Sequence, residues 1–416
     1  MSATPVRERS LSHPVGRARS KKEMLAIAIA VGSMGTLGFS ITAPLLPDLA
    51  EAFGVSRGAI GLVQASVSIP GVLFSALIGY FADRFGRRRV VLISLIIFST
   101  FGVAGFITRS FWGLVGARFL QGIGTSGILG LSIVLIGDQF DGNDRARAMG
   151  INMTGLTIVN MAGPALSGAL ATGGTFRPFL VFAVGFPLAL WATRMPKDTP
   201  THATASPLIH AGDAVKLMRR NRTFVNFVGL LIATIANVIL LHGLGLTTTP
   251  LFLDEEFGTG VAMRGVVIAT FQIGVIITAI RIGSLRNRFG ATTIITAAFA
   301  LMALGSTVTA TAPAVWTVGL GLAIAGVGFG LFVPLAQDYA ARAGTAAYRG
   351  VTVLTWVTVV RIGQVTGPPT SSLLADSAGP RATFAGAAIA MTLLAILWRP
   401  LRERANRQEP VPDEHV

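Results

Sequence analysis

The sequence has no cysteine, so neither a disulfide framework nor a thiolate metal site is available to it. It is also poor in charge. Asp, Glu, Lys and Arg make up 13% of 416 residues, about half the share expected of a soluble chain. Tyrosine is scarce, at 3 residues. No nucleotide-binding loop, metal-ligand cluster or nucleophile arrangement occurs, so neither an enzyme nor an ATP-driven machine is expected, and no cofactor. Gly326-Val327-Gly328-Phe329-Gly330 lies in the middle of an apolar run with no strand before it, which suits helix packing and not a phosphate cradle. What the chain has in quantity is apolar surface, 52% of its residues.

That apolar content falls into twelve runs, each of about the 20 residues needed to cross a bilayer. They cover residues 24–47, 57–82, 89–108, 111–137, 147–171, 176–194, 223–250, 262–283, 291–311, 314–340, 349–374 and 382–399, numbered here as spans 1 to 12. The expected fold is an all-α membrane protein of twelve transmembrane helices in two pseudo-symmetric six-helix bundles. Residues 1–22 read as an N-terminal tail, 23–194 as the first bundle and 195–222 as a polar linker whose second part suits a short surface helix. Residues 223–400 read as the second bundle and 401–416 as a C-terminal tail. The first run is too long for a signal peptide and another span follows soon after, so it reads as a retained helix.

The formal net charge is +15, from 34 Lys and Arg against 19 Asp and Glu. Such a balance can signal nucleic acid, but the cations alternate from loop to loop. Twenty-seven lie in the tails, the linker and the 2–3, 4–5, 8–9 and 10–11 loops. The intervening loops hold five, one each at Arg57, Arg109, Arg177, Arg264 and Arg381. Positive-inside insertion predicts this alternation, with both termini cytoplasmic, and nucleic-acid binding does not.

Between spans 2 and 3 stands Gly79-Tyr80-Phe81-Ala82-Asp83-Arg84-Phe85-Gly86-Arg87-Arg88-Arg89. Gly79 lets helix ends approach, Asp83 offers a carboxylate at a helix end, and Gly86 permits a sharp turn. This stretch resembles the 2–3 loop of the major facilitator superfamily, G-x-x-x-D-R-x-G-R-R/K. The resemblance implies a cytoplasmic gate of Gly79, Asp83, Arg84, Gly86, Arg87, Arg88 and Asp138, set against the start of span 11 near Arg349. The alternative is simple surface pairing, worth about 0–1 kcal/mol.

The halves repeat. Gly79 to Gly86 matches Gly283 to Gly290 at an offset of 204, as do Phe53-Gly54 with Phe257-Gly258 and Gln121 to Gly124 with Ala325 to Gly328. Pro44-Leu45 matches Pro250-Leu251 at 206. Asp83 has become Asn287 and the arginine run is gone, so charge at this loop is not needed merely to fold it. Two copies of one bundle related by an axis along the membrane normal follow.

Arg118 lies inside span 4, where a charge costs about 2.5–3.5 kcal/mol and needs a partner. With Gln121 and Gly122 it resembles the R-x-x-Q-G motif of proton-coupled members, which implies proton coupling; the alternative is a structural arginine bonded to span 1 carbonyls. Gly155, Gly163, Pro164 and Gly168 resemble the antiporter signature G-x-x-x-x-x-x-x-G-P-x-x-G-G, with Ser167 in place of a glycine. That motif implies export.

Span 1 carries no acid at mid-depth, so the proton carrier stays open among Asp48, His242 and Asp138. Arg361 in span 11 either pairs an anionic substrate or proton carrier, or snorkels to the surface. Phe39, Gln64, Asn160, Asn237, Gln272, Trp356, Arg361 and Gln364 are the substrate-cavity candidates, each equally able to serve as packing. The resulting expectation is a proton-coupled exporter of hydrophobic or drug-like compounds in the inner membrane, a monomer whose partners are substrate, protons and lipid. An uptake symporter for a small organic solute remains the alternative.

Overall fold

The computed structural model describes residues 18–195, 224–343 and 349–406. The linker, most of both tails and the 344–348 loop therefore lie outside the described residues. Among the described residues there is helix and no strand, as lipid requires, because every backbone polar group at that depth must be satisfied within its own segment. The helices run Ala18–Ser40 and Leu46–Phe53 (span 1), Arg57–Phe85, Arg87–Ile107, Phe111–Gln139 and Gly142–Ala171 (spans 2 to 5), and Arg177–Ala192 (span 6). Phe224–Phe257 (span 7), Val261–Phe289, Ala291–Ala310, Val315–Arg342, Arg349–Ala378 and Pro380–Asn406 complete the twelve. Helix begins at Ala18 and persists to Asn406, inside both expected tails.

Nine of these described helices are long and apolar enough to cross a membrane. Spans 5 and 11 are 30 residues each but carry more polar and small residues, and span 6 is short. Spans 5 and 11 also meet the opposite half, span 5 against span 8 and span 11 against span 2. Trp112 and Trp316, 204 residues apart, stand outward at the starts of spans 4 and 10, where interfacial aromatics anchor a bundle.

The duplication is structural. Gly54 and Gly258 cap their helices at φ +62° and +59°, and Gly86 and Gly290 turn the chain at φ +90° and +71°. Only glycine adopts such angles without strain. Within each half the fourth helix packs backbone to backbone on its neighbours. A Cβ on Gly122 would stand 2.3 Å from the Val67 carbonyl oxygen, and one on Gly326 2.0 Å from that of Phe271. Likewise Gly124 faces the Ser94 carbonyl and Gly328 that of Ala298, each at 2.5 Å. All four pairs keep the 204 offset. Lipid supplies no hydrophobic drive between helices, so close approach over small residues is what joins them. Each half has its own buried core, one around Phe98, Phe179 and Phe182, the other around Phe299 and Phe332.

Gly79 departs from expectation. A Cβ there would meet nothing within 4 Å, and the same holds at Gly283. The close helix approach assigned to Gly79 is not made in this conformation.

Candidate functional site

Two helices are interrupted at matching places. Span 1 breaks after Ser40 into a 3-10 turn, Ala43–Leu45, begun by Pro44. Span 7 passes through a π-helical stretch, Ile239–Thr248, just before Pro250. Proline removes a backbone donor, and paired interruptions in two repeats mark a mid-membrane site. The freed backbone groups are taken up by side chains. Thr42 Oγ1 and Arg118 Nη2 both donate to the Gly38 carbonyl. Ser167 Oγ donates to Ile41 O at 2.5 Å. The serine that stands where the antiporter signature has glycine thus ties span 5 to the break in span 1.

Arg118 is fully buried. Its Nη1 donates to Gln121 Oε1 at 2.5 Å, and the guanidinium lies 5.9 Å from the Phe182 ring centroid. Both proposed roles remain compatible with this geometry, since the arginine is bonded to a span 1 carbonyl and also sits beside the break.

At mid-depth, spans 1, 2, 7 and 11 converge. The Phe39 ring meets the His242 ring edge-on, with centroids 5.3 Å apart. Gln364 Nε2 lies 3.3 Å from His242 Nε2. Arg361, one turn before Gln364, reaches across to span 2, where a Cβ on Gly71 would stand 2.8 Å from Nη1. Asn160 in span 5 and Gln272 in span 8 are half-buried, the first eleven residues before the end of its helix and the second eleven after the start of its own. The other candidates are used within one half. Gln64 Nε2 donates to Phe39 O at 3.2 Å. Asn237 Nδ2 lies 3.2 Å from Met302 Sδ, and Trp356 Nε1 donates to Thr234 Oγ1 at 3.0 Å.

The halves close on each other at the face away from the termini, called the far face. Span 2 rests on span 11, with Ser372 Oγ donating to Gly58 O at 2.7 Å. A Cβ on Gly61 would stand 2.5 Å from Pro368 O. Span 5 rests on span 8, where a Cβ on Gly168 would stand 2.7 Å from Ala262 Cα and one on Gly265 2.2 Å from Pro164 O. Gly163 and Gly155 pack instead on span 1, against Ser40 and Ile29.

Ion pairs cross the same face. Arg57 bonds Asp254 at 3.2 Å and Glu255 at 2.7 Å. Arg264 bonds Asp48 at 3.0 Å, and its side chain is only 3% exposed. Counting Arg264 as a loop cation concealed this role; its signal was an acid, Asp48, at the outer end of span 1. Removing one partner of a buried pair costs about 3–5 kcal/mol, and less here because Asp48 is one-third exposed. Asp48→Ala is therefore expected to loosen the far face. A cysteine placed at Phe39 should then react several-fold faster with a maleimide supplied from that side, measured by gel shift.

At the opposite face, Arg87 pairs with Asp138, joining spans 3 and 4. Arg286 pairs with Asp338 at 2.7 Å, the second half's counterpart, and Arg342 joins it at 2.9 Å. Arg84 Nη1 donates to the Tyr80 hydroxyl at 2.7 Å. Asp83 and Arg88 are half-buried beside them. The side chain of Arg349 lies outside the described residues.

Comparison with known proteins fits this architecture. The model of the Major Facilitator Superfamily matches residues 28–258 and 230–415. The bacillibactin exporter of Bacillus subtilis (strain 168) is 30% identical over 165 residues, 38% of this chain and 41% of that protein. Multidrug resistance protein 2 of the same organism is 24% identical over 61% of this chain and 64% of its own length. The class C tetracycline resistance protein of Escherichia coli is 26% identical over 92% and 98%. The chain thus spans less than two thirds of the first two relatives and nearly all of the third.

Among solved structures, a bacterial homologue of the human lysosomal transporter Spinster, inward-facing and unoccupied, superposes with a TM-score of 0.75. It does so at 17% identity over 95% of this chain and all of that one. The nucleoside transporter NupG (D323A mutant) gives 0.77 at 13% identity, over 92% and 99%. These two show the fold. With glycine turns and helix contacts that recur at a 204-residue offset, paired helix breaks at mid-depth and a family match along nearly its whole length, the chain belongs to the Major Facilitator Superfamily and is a transporter, not an enzyme.

Proposed function

We propose that this transporter exports small hydrophobic or drug-like organic compounds in exchange for protons, as a monomer in the cytoplasmic membrane. The halves rock about the mid-depth site. In this reading the face with the termini, and with the 27 cations of the tails, linker and loops beside them, is cytoplasmic, and the far face is external. Arg118, Asp48 and His242 are the groups that handle the proton. The 2–3 loop, with Asp83, Arg84, Gly86, Arg87, Arg88 and Asp138, serves the cytoplasmic closure.

The observation that carries export is the position of the antiporter-like residues in span 5. Gly168 and Pro164 stand at the seam with span 8, while Gly155 and Gly163 stand at the seam with span 1. These small residues let span 5 slide between the two halves' closed and open arrangements at low steric cost. The names of the relatives, two resistance proteins and an exporter, point the same way.

Accumulation of fluorescein, an aromatic carboxylate dye, in cells expressing the protein tests the reading. Expressing cells are expected to hold less dye than control cells, and a protonophore is expected to abolish the difference. Protonophore-sensitive uptake above the control level would assign the chain to the symport alternative.

A further inference from the structure

The transport path is cationic. Among the described residues every Asp and Glu lies within five residues of the end of its span, and none stands at mid-depth. The interior charges are Arg118, Arg361 and, when protonated, His242. Arg118 gives Nη1 to Gln121 and Nη2 to Gly38 and leaves only Nε without a partner. Arg361 places none of its donors. Among the described residues its guanidinium has no hydrogen-bond acceptor and no carboxylate partner, and it lies in the seam against Gly71 of the other half.

Snorkelling does not explain it. Arg361 is twelve residues from the nearer end of its helix, about 18 Å, too far for one side chain to bridge. Gln364 adds a second unused group. Its amide meets His242 with one end and leaves Oε1 buried without a partner. Turned the other way, the amide would leave its NH2 free instead. Buried polar groups are ordinarily satisfied, so an unmet one beside an unmet guanidinium points to a ligand. Phe39, against His242 and mostly buried, provides an apolar wall to the same space.

We propose that Arg361 and Gln364 bind the oxyanion head of an amphiphilic organic anion, of carboxylate type, whose apolar body lies against Phe39. A guanidinium fork matches a planar oxyanion through two parallel hydrogen bonds. A lipophilic cation would find no counter-charge here and would be repelled by Arg361. The inference rests on the exporter reading and narrows its substrates to amphiphilic anions.

The test is equilibrium binding to the purified full-length protein in nanodiscs, with 1-naphthylacetate and 1-naphthylmethylammonium. These share one ring system and carry opposite charge. The wild type is expected to prefer the carboxylate by about tenfold or more, the size of one charge-assisted contact. Arg361→Gln should erase the preference and Arg361→Lys should keep part of it. Gly71→Ala, which crowds the guanidinium without changing charge, should weaken carboxylate binding alone. Equal binding of the two probes, preference for the ammonium, binding of neither, or an unchanged preference in Arg361→Gln would overturn the proposal.

Inverted vesicles carrying a proton gradient separate the inference from the reading beneath it. Arg361-dependent binding without transport of 1-naphthylacetate would leave the anion site standing and remove the exporter. Gradient-driven transport of ethidium, indifferent to Arg361, would keep the exporter and remove the anion site.

Discussion

Arg118→Ala is expected to leave a folded protein that transports at the background rate. The side chain has no exposure, and its donors go to the Gly38 carbonyl beside the break in span 1 and to Gln121. Two magnitudes decide where the loss falls. Hydrogen bonds between membrane helices are worth about 0.6 kcal/mol on average, because the separated helices find other partners. Removing the charge also removes an insertion cost of about 2.5–3.5 kcal/mol. Global stability should therefore change little. What disappears is the link between span 4 and the interrupted helix, together with the fixed charge beside the path. Hydrogen bonds to a charged group are worth about 1.5–3 kcal/mol, and where Arg118 makes them more strongly in the passage between the two facings than at either end, their loss slows efflux by about 10- to 100-fold.

Lysine is not expected to rescue transport. It keeps the charge but lacks the fork that reaches Gly38 and Gln121 together. Dye efflux compared at equal membrane abundance, with the melting temperature of the purified variants as control, measures both parts. Normal efflux by Arg118→Ala would reduce Arg118 to a packing residue.

Much of the fold was legible in the sequence because the duplicated positions are ones where the backbone itself demands a residue type. Gly54 with Gly258 and Gly86 with Gly290 turn the chain at positive φ in both halves. Gly122 with Gly326 and Gly124 with Gly328 admit a neighbouring carbonyl. Such demands leave a mark in one sequence at a constant spacing. The helix breaks were only half legible. Pro44 and Pro250 were visible as a repeat, but the widened turn at Ile239–Thr248 carries no distinctive residue.

The site was less legible, for a reason lipid imposes. Helices that are apolar on every side give no periodic signal for which face meets the other half. Gln64, Asn237 and Trp356 were therefore indistinguishable from Phe39, His242 and Gln364 until the packing was known. The first group bonds within one half, whereas Phe39 meets His242 across the seam. Arg264 was hidden differently. It lies in the first turn of span 8, where a cation reads as a loop anchor, and only the fold brings Asp48 to it. Gly79 differs in the opposite sense, since its motif suggests close approach and in this conformation the space around it is open.

The largest effect of all is expected from fixing the far face shut. The chain has no cysteine of its own, so a pair can be introduced without background. A Cβ on Gly58 in span 2 would stand 3.5 Å from the Cβ of Asp376 in span 11, within the about 3.5–4.5 Å that a disulfide spans. The bond would join the two halves at a seam that must open if substrate is to leave by that side. The Gly58→Cys, Asp376→Cys double variant should export dye when reduced, stop when oxidised and recover on reduction. Each single variant should be indifferent to oxidant. Undiminished transport by protein shown to be fully cross-linked would contradict alternating access between these halves.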